Sequence, residues 1–105
     1  MKLSGTNIKM TRGDSESLTV KCSVPFAAGD AVTLTLRADT ESPIELQKTV
    51  TDFPEGQAVI PLGPEDTAGM AFGGYVYDIQ LTRADGTVTT LVTISRFELL
   101  EEVTY

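Results

Sequence analysis

The stretch from Gly74 to Glu98 constrains this chain more than any other. Tyr75, Tyr77, Ile79 and Leu81 fall on one parity while Val76, Asp78, Gln80 and Thr82 fall on the other, the period of two that a half-buried strand requires. Asp85-Gly86 comes next, and a second β-rich run from Val88 to Glu98 follows it. Gly, and to a lesser degree Asp, adopts positive φ at low cost, so Asp-Gly between two such runs predicts a hairpin turn. The hairpin is long enough to be the centre of a β domain, and the rest of the chain reads as its packing partners.

Upstream, Thr6 to Met10 reads as a short strand with Ile8 buried, closed by a turn at Thr11-Arg12-Gly13-Asp14. Ser17 to Val24 alternates, with Leu18, Val20, Cys22 and Val24 on one face, until Pro25 ends it. Val32, Leu34, Leu36 and Ala38 alternate with Thr33, Thr35 and Arg37 in a third strand. In Ile44 to Thr51 the inward set is Ile44, Leu46 and Val50, and Lys48 on the same parity marks an edge or a bulge. Ala58, Ile60 and Leu62 form another buried face after the turn at Phe53-Pro54-Glu55-Gly56, with Pro61 again pointing to an edge. Pro64 to Ala68 predicts one helical turn, because Pro suits the first helical position and Glu65 and Asp66 suit its positive end. Late in the chain the parity of Val88, Val92 and Ile94 changes to that of Phe97 and Leu99, which predicts a bulge near Ser95-Arg96. Leu100 to Tyr105 is an acidic tail, read as an extension past the sheet.

About seven strands at spacings of roughly 8 to 12 residues, with no helix of useful length, predict an all-β Greek-key sandwich of antiparallel strands. The length of 105 residues fits one domain spanning the chain. A formal charge of -7 with only eight Lys and Arg argues against nucleic acid and anionic membrane as partners. The N-terminal residues lack the apolar core of a secretory signal, and no apolar run is long enough to cross a bilayer, so a cytoplasmic product is expected.

Pro64-Glu65-Asp66-Thr67-Ala68-Gly69, then Gly74-Tyr75-Val76-Tyr77-Asp78-Ile79-Gln80-Leu81, an Asp-Gly hairpin and a closing strand resemble an immunoglobulin-like domain of bacteriophages and prophages. The likeness is to the N-terminal domain of phage baseplate upper proteins and related tail accessory proteins, and it extends from Arg12 to Leu99. Gly13 to Val20 matches the polar turn and Leu-Thr-Val strand with which such domains open. The pattern departs from antibody-type domains, since Gly69 to Gly74 intervene before the tyrosines and Ile79 stands where a cysteine would follow Tyr77. The resemblance implies an immunoglobulin-like β-sandwich acting as a virion structural module that docks onto other tail or baseplate subunits and self-associates. After cytoplasmic synthesis it would reside in the virion.

Catalytic chemistry finds little support. The chain has no His, the commonest general base, and Cys22, its single cysteine, falls on a core parity where thiols are inert. With no second cysteine, neither an intrachain disulfide nor a Cys-based zinc site can form. No catalytic residue, cofactor or metal site is expected, and the chain reads as a non-enzyme. Oxygen ligands for calcium exist at Asp14, Glu16 and Asp85, without EF-hand spacing, and the sequence leaves their use open. Arg12-Gly13-Asp14 matches an integrin-recognised tripeptide, but a tight turn explains Gly-Asp fully. Tyr75 and Tyr77 share the parity of Ile79 and Leu81, which favours burial over a sugar-stacking platform. Met70 and Phe72, on a Gly-flanked loop, either cap the core or project into a partner; with Leu100 and Tyr105 they are the candidate partner contacts. The rival reading is a carbohydrate- or cell-surface-binding module on the same scaffold.

Overall fold

A computed structural model describes residues 2–4, 7–20, 26–53 and 56–101. The chain is an all-β sandwich whose described residues form eight strands and one helical turn, in the order β1 (Lys2–Ser4), β2 (Asn7–Thr11), β3 (Glu16–Val20), β4 (Ala31–Arg37), β5 (Ile44–Val50), β6 (Ala58–Leu62), α1 (Pro64–Thr67), β7 (Gly73–Thr82) and β8 (Val88–Leu100). Six strands make one sheet in the order β1-β2-β8-β7-β4-β5, and β3 pairs with β6 in the other. Non-consecutive strands lie side by side in both sheets, as a sandwich with crossing connections requires. The pairings are antiparallel with one exception: β2 runs parallel to β8, matching Ile8 with Phe97 and Met10 with Leu99. The expected second strand is described as far as Val20, and Cys22, Val24 and Pro25 lie outside the described residues.

The alternation in the sequence becomes the core. Tyr75, Tyr77, Ile79 and Leu81 of β7 face Leu18, Val20, Ala58, Ile60 and Leu62 of the small sheet, together with Val32, Leu34 and Leu36 of β4 and Phe97 and Leu99 of β8, all buried. Tyr77 and Phe97 meet edge to face, ring centroids 6.5 Å apart at 80°, the arrangement that sets the positive edge of one ring on the negative face of the other. Phe26 and Phe53 stack at 4.7 Å and pack against the same core.

The hairpin turns one residue wider than Asp85-Gly86 alone implies. Arg83 and Thr87 close it, with the Arg83 amide donating to the Thr87 carbonyl at 2.8 Å and the Gly86 amide donating to the Arg83 carbonyl at 2.9 Å. Gly86 takes the positive φ of 92° that a three-residue loop of this type needs. β4 ends at Arg37, so Ala38 leaves the expected alternation and is exposed.

Register irregularities on two strands, one on β5 and two on β8, correct the sequence reading. Between Leu36 and Arg37 the pairing with β5 slips, so that Leu36 faces Leu46 but Arg37 faces Ile44, and Glu45 is the extra residue. Paired residues share a face, and Arg37 points outward; Ile44 therefore turns out of the core and is 46% exposed. On β8 the slips fall between the partners of Tyr77 and Ile79 and of Ile79 and Gln80, upstream of the bulge expected near Ser95-Arg96. They let Ser95, Phe97 and Leu99 face inward while Ile94 points outward, 63% exposed. Val88, opposite the outward Thr82, is exposed as well, and Val92 alone of the three expected inward residues packs against the core.

Candidate functional site

The outward face of the six-stranded sheet carries two adjoining depressions. Outward residues of β4, β5, β7 and β8 line a shallow trough of about 420 Å³, with Thr35, Arg37 and Gln47 on one side, Val76, Asp78 and Gln80 on the other, and Ile44 and Ile94 at its walls. A second depression of about 440 Å³ shares Val76 and Ile94 and continues past Asn7, Gly74 and Arg96. Register places Ile44, Arg37, Val76 and Arg96 in one row across four strands, and Gln47, Thr35 and Asp78 in the next. The two exported isoleucines thus sit on one face, at opposite ends of a surface made, apart from Val76, mostly of hydroxyl, amide and charged groups.

Lys48 is the inward-facing charge on the outermost strand. Its Nζ reaches both Asp66 oxygens at 3.2 and 3.1 Å, and Asp66 Oδ2 also accepts the Gly63 amide at 2.7 Å, securing the start of α1. An inward charge on an edge strand opposes pairing by a stray strand. At the end of α1, buried Thr67 accepts the Gly13 amide at 3.1 Å, and beyond it Arg12 donates to the Met70 carbonyl at 3.3 Å while its guanidinium lies 4.2 Å from the Phe72 ring centre. The Arg12-Gly13-Asp14 turn is thereby tied to the α1–β7 loop.

That loop divides the candidate contacts. Met70 is 5% exposed and belongs to the core, which corrects its place among them: the Tyr75 hydroxyl donates to Ala71 O at 2.6 Å and folds the loop down over the sheet edge. Phe72 remains 42% exposed beneath Arg12, and Leu100 is 38% exposed at the end of β8. Tyr105 lies outside the described residues. The trough does not include Phe72 or Leu100.

The far end of the sandwich holds a residue the sequence did not single out. Asp30 is 2% exposed; its carboxylate accepts the Ala27 amide at 2.9 Å, the Ala84 amide at 3.1 Å and Arg83 Nη1 at 2.7 Å. The Ala27 amide above all, with Arg83 and Ala84 assisting against the cost of burial, holds its carboxyl below the usual value of 3.8. Asp85 lies in the neighbouring loop, its carboxyl lowered by the Thr87 amide and opposed by Asp30's charge. Burial pushes the Tyr75 and Tyr77 phenols up. Among the described residues, no group of three or more His, Cys, Asp or Glu side chains gathers as a metal site would need, Asp14, Glu16 and Asp85 included.

No family model and no curated protein matches the chain. Among solved structures, the extracellular domain of the voltage-gated sodium channel beta4 subunit, a protein described as forming parallel homodimers with a role in cell-cell adhesion, is similar over 98% of this chain and 99% of that one, at 13% identity and a TM-score of 0.49.

Proposed function

We propose that this chain is a non-enzymatic docking module, a structural part of a phage or prophage tail or baseplate that works through protein–protein contact. The observation that carries the reading is the set of register slips on β5 and β8 that turn Ile44 and Ile94 out of the core and onto one face. Bulges re-aim side chains, and an apolar side chain turned into water gives up the burial that would have stabilised the fold. Two such exchanges on one surface are what contact with a partner would use. The virion setting rests on the resemblance of the Pro64–Gly69 and Gly74–Leu81 motifs to phage baseplate domains.

The test is photo-cross-linking from benzoylphenylalanine placed at positions 44 and 94, in cells expressing the chain with the genes that flank it. The expected product is an adduct with a tail or baseplate subunit or with the chain itself. No adduct from either position, together with saturable binding on a glycan array, would replace this reading with the carbohydrate-binding one.

A further inference from the structure

Resting on that docking reading, we infer that the occupant of the outward face is a second copy of this chain, related by a two-fold axis that sets Arg37 of each copy against Asp78 of the other. Arg37 pairs with Val76 across β4 and β7, and Thr35 pairs with Asp78 two residues along. These four side chains form a patch with Arg37 and Asp78 on one diagonal and Val76 and Thr35 on the other. Diagonal neighbours in a sheet are roughly 7–8 Å apart, and among the described residues no ion pair joins Arg37 to Asp78 within the chain. One Arg37 nitrogen donates to Ser42 O at 3.0 Å, one bond from a guanidinium that carries five donors. A two-fold axis lying in the interface and crossing the Arg37–Asp78 diagonal at right angles exchanges the two positions. Each cation then meets the partner's anion, and the contact is made twice.

Charge distribution favours the same face. The outward positions of β2, β8, β7 and β4 hold Lys9, Arg37 and Arg96 against Asp78 and Glu98, and the exposed Glu45 of β5 brings the count to three cations and three anions, a net charge of zero on a chain of -7. The remainder of the molecule therefore carries the whole -7, and two copies repel one another through it. An isologous contact must be self-complementary, and mixed signs around Val76, Ile44 and Ile94 satisfy that condition. The size suits as well. Five strands about 4.8 Å apart and about 23 Å long give a flat footprint of roughly 550 Å² before side-chain relief is added, approaching the ~800 Å² per partner of a specific interface.

The experiment is sedimentation velocity on the full chain at micromolar concentration and low salt. The wild type is expected to be a dimer. Arg37→Asp and Asp78→Arg should each weaken it about tenfold or more through like-charge contact, and the double exchange should recover it. Ile94→Asp should give monomer with unchanged circular dichroism, because Ile94 is already 63% exposed, while Val59→Asp, 36% exposed on β6 of the opposite sheet, should leave the dimer intact. A dimer indifferent to all the trough variants, or a double exchange that stays monomeric, overturns the proposal. A monomeric wild type that still cross-links from position 94 to a different tail protein overturns the self-pairing and leaves the docking role standing; a monomer with no adduct overturns both.

Discussion

Phe97 is the largest of the fully buried side chains among the described residues, and its removal gives a quantitative test. It is 1% exposed, pairs with Ile8 on one side and Tyr75 on the other, and sets its ring against Tyr77. Phe97→Ala should cost about 3–5 kcal/mol through lost transfer energy and an incompletely collapsed cavity. At about 0.05–0.15 kcal/mol per residue the whole domain holds only about 5–15 kcal/mol, so this one change removes a large share. An unfolding entropy of about 2.1 cal/mol/K per residue gives roughly 0.22 kcal/mol/K for the chain, and hence a fall in Tm of about 14–23 °C. Phe97→Leu keeps most of the volume and loses the edge-to-face contact, for about 1–1.5 kcal/mol and a fall of about 5–7 °C. Far-UV circular dichroism on heating reads both, with urea unfolding confirming an unchanged m-value. A fall below about 5 °C for the alanine variant, or equal losses for the two, would refute the placement of this ring between the layers.

Two glycines separate strain from crowding. Gly86 has φ of 92° with open space around it, so Gly86→Ala should cost only the ~1–2 kcal/mol of left-handed backbone; Gly29, at φ of 89°, would also bring a Cβ within 2.9 Å of Ala84 Cβ, and Gly29→Ala should shift the urea midpoint further. Acid stability should depend on Asp30, Asp39 and Asp85, whose folded carboxyls lie below the unfolded value of 3.8. Their contribution is present above that value and is lost as pH falls through the folded pKa. Asp30→Asn should flatten this acid limb in pH-dependent urea melts, and an unchanged limb would assign it elsewhere. At the other extreme, the raised phenol pKa of Tyr75 and Tyr77 gives the opposite sign: stability is full below the ordinary value of 10.0 and falls as pH climbs toward the folded values.

The central hairpin, the inward tyrosines, the helical turn at Pro64 and the edge character of Lys48 were all legible in the sequence, because each rests on local periodicity or on the chemistry of one residue. The register slips were not. A bulge adds one unpaired residue with no propensity of its own, so the parity of Ile44 and Ile94 pointed inward until strand pairing was known. The Ser95-Arg96 region showed that parity must change, but not where. Asp30 looked like an ordinary loop acid, since the groups that bury it, Arg83 and Ala84, lie 53 and 54 residues away. Met70 and Phe72 were indistinguishable by composition; the Tyr75 hydroxyl, which ties down the loop from four residues along, and Arg12, 58 residues from Met70, assign one to the core and leave the other partly in solvent.

The lateral union of β2 and β8 gives the domain a mechanical character. Because the first of these strands is entered near Asn7 and the last is left near Leu100, at opposite ends of one parallel pair, tension drawn through the chain from both directions first peels the three-residue β1 away from β2. It then loads every rung between β2 and β8 at once, in shear, so no single hydrogen bond can fail ahead of its neighbours. A part stretched between moving assemblies would resist extension through that seam.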